Sequence, residues 1–184
     1  MKNPQILERL IEGNRRYLTL TQPVGEVSPA LRRQTADEGQ HPCAIVICCS
    51  DSRVVPEHIF SAGLGELFVI RVAGNVLDRH QLGSIEYAAA HLHCRLILVL
   101  GHTGCGAVGA ALEGGGEGMI SYITDEILRA IGEERDPDRA CRLNVLHAVE
   151  TIRQGFAEHP EIPLGETDVL GAVYDIRSGE ICWL

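Results

Sequence analysis

Two short polar segments carry the residue types best suited to chemistry. They are Cys49-Ser50-Asp51-Ser52-Arg53 and His102-Thr103-Gly104-Cys105. Taken singly, Cys49 and Cys105 read as small buried hydrophobes and His102 as a satisfied core histidine. Taken together, two thiolates and an imidazole form a good donor set for zinc. Three protein ligands leave a fourth position open, which is the pattern of a catalytic zinc. A structural zinc closed by Asp51 as fourth ligand is the alternative, weakened by the absence of a paired C-x-x-C knuckle. Asp51 and Arg53 stand two apart in a turn, so their side chains can meet. An arginine beside a carboxylate keeps it ionised and fixes its orientation. That holds Asp51 either off the metal, accepting a proton from coordinated water, or on it. Zinc lowers the pKa of such a water from about 15.7 to about 7, which suits addition of hydroxide to a small electrophilic carbon.

These residues are useful only if the fold brings them together. Both segments follow short continuous apolar runs, Cys43–Cys49 and Arg95–Leu100, and a third run spans Leu67–Ile70. Such runs fit strands buried on both faces of a parallel sheet. A helix is expected over 83–92, with Ser84 near its start. Ligands of an open parallel sheet bind outside the carboxyl ends of its strands, so Cys49, His102 and Cys105 are predicted to share one edge. Ile6, Leu7, Leu10, Ile11 and Tyr17 recur at helical spacing, predicting an amino-terminal helix with Asn3 as cap and Pro4 in its first turn. Residues 19–41 read as a loop with one short helix from Ser28. A Gly-rich turn after Gly101 opens a helix ending near Gly114-Gly115-Gly116. Further helices are expected over 121–133 and 138–158, and the tail reads as two strands, 168–176 and 181–184, joined by a tight turn. The fold class is therefore α/β, a mostly parallel central sheet flanked by helices with an amino-terminal helical arm.

Composition sets the outer limits. The chain has 184 residues, 45% apolar and 22% charged, ordinary for a folded protein and against disorder. With 16 basic and 25 acidic residues its formal charge is −9, which argues against nucleic acid or an anionic membrane as partner. Seven cysteines, an odd count, speak against a disulfide framework. Met1-Lys2-Asn3-Pro4 leads into a charged amphipathic segment rather than an apolar leader. The longest aliphatic run, Leu96–Leu100, is far short of the ~20 residues of a membrane helix. A cytoplasmic protein is expected.

C-S-D-S-R followed by H-x-x-C resembles the β-class carbonic anhydrases, and the likeness covers most of the chain. It includes Glu12-Gly-Asn-Arg-Arg-Tyr17, Gln40, Gly65-Glu-Leu-Phe-Val-Ile-Arg-Val-Ala-Gly-Asn75, Ile85-Glu-Tyr87, Leu100-Gly-His-Thr-Gly-Cys-Gly-Ala-Val108 and Gly171-Ala-Val-Tyr-Asp175. The resemblance implies one Zn2+ per subunit bound by Cys49, His102 and Cys105, with Asp51 and Arg53 as the catalytic dyad and Asp51 the fourth ligand of a closed state. It implies a substrate pocket of Gln40, Phe68, Ala73, Tyr87 and Gly106. Ala73 stands where a bulkier valine is common in some members, implying a slightly wider pocket. Val46 stands where some bacterial members carry a tryptophan of a regulatory bicarbonate site, a departure from that form of regulation. The implied reaction is reversible hydration of carbon dioxide to bicarbonate and a proton through zinc-bound hydroxide. The implied assembly is a homo-oligomer with the dimer as basic unit. Residues 1–184 form one domain, with 1–38 as a helical arm on a neighbouring subunit. Two other readings remain: hydrolysis of carbonyl sulfide or carbon disulfide at the same centre, and a non-catalytic zinc-binding protein.

Other motifs are weaker. Gly104-x-Gly106-x-x-Gly109, with Asp125 downstream, satisfies the dinucleotide fingerprint, but its helix dissolves too early into glycines. His91-Leu-His-Cys94 mimics a metal cluster, yet helix positions two apart face different ways. Cys48 reads as core or as a neighbour of the metal site, Cys43, Cys141 and Cys182 have no metal-like spacing, and the charges from Glu133 to Arg142 read as a solvated surface.

Overall fold

The run Ala44–Cys48 forms β1, with every residue buried. Its alternate side chains enter two separate cores, as the two-residue period of a strand requires. Ile45 and Ile47 join one cluster, and Ala44, Val46 and Cys48 join the other. The neighbouring strands are β2 (Leu67–Arg71), β3 (Leu96–His102), β4 (Asp168–Tyr174) and β5 (Ile181–Trp183), in spatial order β2-β1-β3-β4-β5. The first four are mutually parallel, and β5 returns antiparallel along β4. A computed structural model describes residues 1–19, 21, 25–157 and 166–184. The position 158, at the end of one expected helix, and Pro23 of the expected loop lie outside them.

Helices cover both faces of the sheet. On one face Ile85, Ala88 and Ala89 of α4 (Arg79–His91) and Val145, Ala148, Val149 and Ile152 of α7 (Pro137–Ala157) meet Ile45, Ile97 and Val99. On the other, α1 (Pro4–Thr19) and α3 (Pro56–Ile59) bring Leu10 and Ile59 against Val46, Leu98 and Leu100. A third cluster lies at the carboxyl ends of the strands. There Cys49 and Cys105 meet α5 (Gly106–Leu112) and α6 (Ser121–Ile131).

The elements differ from expectation where local hydrogen bonding decides. Helix α4 starts at Arg79, four residues earlier than expected, because Asp78 and Gln81 close a capping box. The Asp78 side chain accepts from the His80 N–H and the Gln81 amide oxygen from the Asp78 N–H, satisfying end donors that the helix cannot. Helix α2 (Pro29–Glu38) is capped by Ser28, as its sequence suggests. Asn3 directs its amide nitrogen to the carbonyls of Arg95 and Glu166, tethering α1 to the sheet. Asn14 donates to the Gly179 and Ile59 carbonyls, and the hydroxyls of Tyr17 and Tyr174 lie 3.0 Å apart. The expected amino-terminal arm thus begins with a helix lying on its own chain. The dinucleotide fingerprint leads into a seven-residue α5 followed by α6 and α7 before β4, so no short strand–helix–strand crossover follows it.

Candidate metal centre

Parallel pairing of β1 with β3, Cys48 opposite Leu100, carries both chains to the same sheet edge. Cys49 follows β1, His102 ends β3, and Cys105 precedes α5. Their sulfur and nitrogen atoms lie within 4.8 Å of one another. All three residues are buried, His102 at 1% exposure. No other such group of metal-ligating side chains occurs among the described residues. His91 instead lies tilted against Tyr87 with ring centroids 5.3 Å apart, and His93 follows the end of α4 with φ +57°.

The donor atoms suit zinc. Zn–S and Zn–N bonds of about 2.3 and about 2.0–2.1 Å place tetrahedral ligand atoms roughly 3.5–3.8 Å apart, so donor atoms within 4.8 Å of one another stand close enough to converge on one ion. His102 Nδ1 lies 3.0 Å from the Thr103 carbonyl. A carbonyl can only accept, so Nδ1 carries the proton and Nε2 the lone pair. That Nε2 is buried without a hydrogen-bond partner, an orphan a metal would satisfy. Burial pushes the His102 pKa down, but the neighbouring Cys49 thiolate, the Thr103 carbonyl and Asp51 together leave it raised. A hydrogen bond from Cys105 holds Cys49 low and its partner high, making Cys49 the ready thiolate. The Cys49 sulfur also accepts from the Asp51 N–H at 3.4 Å and the Gly74 N–H at 3.3 Å.

Asp51 is gripped by Arg53. Its Oδ1 accepts from the Arg53 backbone N–H at 2.9 Å and from Nε at 3.0 Å, and its Oδ2 from Nη2 at 2.7 Å. That hydrogen bonding holds the Asp51 carboxyl well below the usual carboxylate range. Oδ2 lies 3.9 Å from His102 Nε2, so the carboxylate faces the donor cluster while bound to the arginine. Arg71, at the end of β2, donates to the carbonyls of Cys49 and Asp51 at 3.3 and 2.7 Å, fixing the loop between them. Its position in the matched 65–75 run hinted at importance, but no spacing assigned it this task. Cys141 lies against the Cys105 backbone within the third cluster. Cys48 points into the opposite core, where burial raises its thiol to about 12.

The expected pocket residues divide into two sets. Ala73 sits in the short 3-10 turn Ala73–Asn75 next to Gly74, and Gly106 follows Cys105 on the solvent side, with open space where a Cβ would stand. Gln40 is exposed before the amino end of β1. Phe68 pairs with Ile45 in the amino half of the sheet, with its ring 6.3 Å from that of Tyr87. At about 3.3 Å per strand residue, β1 sets its amino end, which Gln40 precedes, roughly 16 Å from Cys49. The chain brings Ala73 and Gly106 to its own donor cluster and leaves Gln40, Phe68 and Tyr87 away from it.

The fold and site define a class of α/β proteins with a two-cysteine, one-histidine donor cluster, fit to hold a metal, at the carboxyl ends of parallel strands. A family model described as carbonic anhydrase matches residues 44–181. The carbonic anhydrase of Mycolicibacterium smegmatis is 35% identical over 183 residues, covering 94% of this chain and 88% of that protein. Carbonic anhydrase 2 of Mycobacterium tuberculosis is 36% identical over 181 residues, covering 92% and 87%. Among solved structures, the β-carbonic anhydrase CcaA superposes with a TM-score of 0.71 at 28% identity, covering 97% of this chain and 87% of that one. A tetrameric β-carbonic anhydrase of Sordaria macrospora superposes at 0.62 with 30% identity, covering 85% and 87%. The chain belongs to the carbonic anhydrase family, in its β class.

Proposed function

We propose that the chain catalyses the reversible hydration of carbon dioxide, with zinc held by Cys49, His102 and Cys105. The observation that carries this reading is the buried donor cluster beside an Asp51 already bound by Arg53. Bound there, zinc would supply Lewis acidity that makes hydroxide available near neutral pH. The chain's own residues do the rest. The Thr103 carbonyl fixes the His102 tautomer. Arg53 occupies both Asp51 oxygens, favouring an open metal position over a closed one and keeping the carboxylate able to accept a hydrogen bond. The same geometry disfavours the non-catalytic reading, which needs Asp51 on the metal.

A second copy of the chain completes each site in this reading. Gln40, Phe68 and Tyr87 match pocket positions of the family, yet they stand away from their own chain's donor cluster, and Tyr87 is 48% exposed. The solved relative described as tetrameric supports an oligomer. Residues 1–184 are one domain whose arm contacts the neighbour through faces of 1–38 that α1 does not spend on its own sheet. Among the described residues no helix is long and apolar enough to cross a membrane, and we place the enzyme in the cytoplasm. A direct comparison of substrates tests the reaction assignment. The zinc-loaded protein is expected to hydrate carbon dioxide at a higher kcat/KM than it releases sulfide from carbonyl sulfide or carbon disulfide. The reverse order would move it to the hydrolase reading.

A further inference from the structure

We infer that Asn144, on α7, is a positioning residue for the metal centre, holding Gly74 so that its N–H donates to the Cys49 thiolate. The inference rests on the zinc reading above. Cys49 sulfur has two backbone donors of different origin. The Asp51 N–H belongs to the loop that carries Cys49 itself, whereas the Gly74 N–H arrives from the connection between β2 and α4. That connection is closed by the Asn75 N–H on the Val72 carbonyl at 2.9 Å and by the Val72 N–H on the Cys48 carbonyl at 3.1 Å, and neither bond fixes the Gly74 carbonyl. Gly74 has φ +67° inside the 3-10 turn, a region that favours glycine. A Cβ there would meet Ile127 Cδ1 at 2.8 Å and Ala107 Cβ at 3.0 Å.

Asn144 supplies the constraint. It is 3% exposed, and its Nδ2 donates to the Gly74 carbonyl at 2.7 Å. The next residue sets its reach. Gly101 and Gly171 let Val145 approach so closely that an added Cβ would meet its methyls at 2.5 and 2.8 Å. Helix α7 is thereby seated deeply on β3 and β4, one residue from the asparagine. A chain of contacts then runs from α7 through Gly74 to the sulfur. Partners that orient ligands from outside the coordination sphere commonly change metal affinity about 10–100-fold when removed.

Cobalt in place of zinc reports the thiolates directly through sulfur-to-metal charge-transfer absorption. Loss of an N–H donor leaves the sulfur more electron-rich. Asn144→Leu is therefore expected to move the band to lower energy and to weaken zinc binding about 10–100-fold in chelator competition. Thr124→Val, which removes a buried hydroxyl bonded to the Gly116 N–H, is expected to leave the band in place, separating positioning from general loss of stability. An unmoved band in Asn144→Leu overturns the inference and leaves the zinc reading intact. A wild-type protein without the band overturns both. Should Asn144→Leu fail to fold, cadmium-113 loading of the unmutated chain decides. The Gly74 amide proton is expected to show scalar coupling to the metal through the Cys49 sulfur, and absence of that coupling overturns the inference.

Discussion

Substituting Gly101 by alanine tests the packing that seats α7 behind the metal centre. The added Cβ would fall 2.5 Å from Val145 Cγ2, well inside van der Waals contact, and both residues are buried. Overpacking of this kind costs about 1–3 kcal/mol. In a chain of this size each kcal/mol lowers Tm by about 2–4 °C, so Gly101→Ala is expected to melt about 2–12 °C early. Val145→Ala alone removes two buried methyl groups, at about 0.8 kcal/mol each plus a cavity contribution, or about 1.5–2.5 kcal/mol. The double variant places one methyl where others were removed. Its loss should fall short of the sum of the single losses by about 0.5–3 kcal/mol, the range for residues in contact. Thermal melts of the four proteins at equal metal content give the cycle. Strict additivity, or a Gly101→Ala protein as stable as the wild type, would refute the close approach on which the seating of Asn144 depends.

Three other outcomes follow from the geometry. Asp51→Asn, which sets an amide against the Arg53 donors, is expected to lower kcat/KM for carbon dioxide hydration about 10²–10³-fold with metal content unchanged, as measured by stopped flow and metal analysis. Chelation of metal, or Cys105→Ser, is expected to lower Tm and abolish activity together, because binding to the folded site alone stabilises it. Asp168 faces a pH test. Burial alone would raise its pKa, but the N–H groups of Asn3 and Lys2 and the Asn3 side chain hold it below the ordinary value. Its contribution is therefore present above the unfolded value of about 3.9 and lost as pH falls through the lower folded one. Asp168→Asn is expected to destabilise at pH 7, with the difference from the wild type starting to shrink near pH 4 and closing only as pH falls through the lower folded value, in denaturant titrations.

The cluster of Cys49, His102 and Cys105 was legible in the sequence because its position follows from sheet topology. Aliphatic runs ending in Cys49 and leading into His102 needed only parallel pairing to bring them to one edge. The Asp51–Arg53 contact was legible because two residues apart in a turn leaves little freedom. Asn144 was not legible, since one buried amide within a long helix changes neither periodicity nor charge pattern. Its importance lies in a carbonyl distant in the chain. The start of α4 was present in the sequence as Asp78 and Gln81, a capping signal overridden by reading Ser84 as the start. Gln40, Phe68 and Tyr87 entered through family likeness alone, because no local pattern of spacing or charge marks them.

Stopped-flow measurement of carbon dioxide hydration during titration of metal-free protein with zinc tests whether zinc at Cys49, His102 and Cys105 carries the activity. Activity is expected to rise linearly to one zinc per chain and then remain flat, with Cys49→Ser showing no such rise. A fully zinc-loaded protein that does not accelerate hydration, or activity that is indifferent to zinc, would contradict that role.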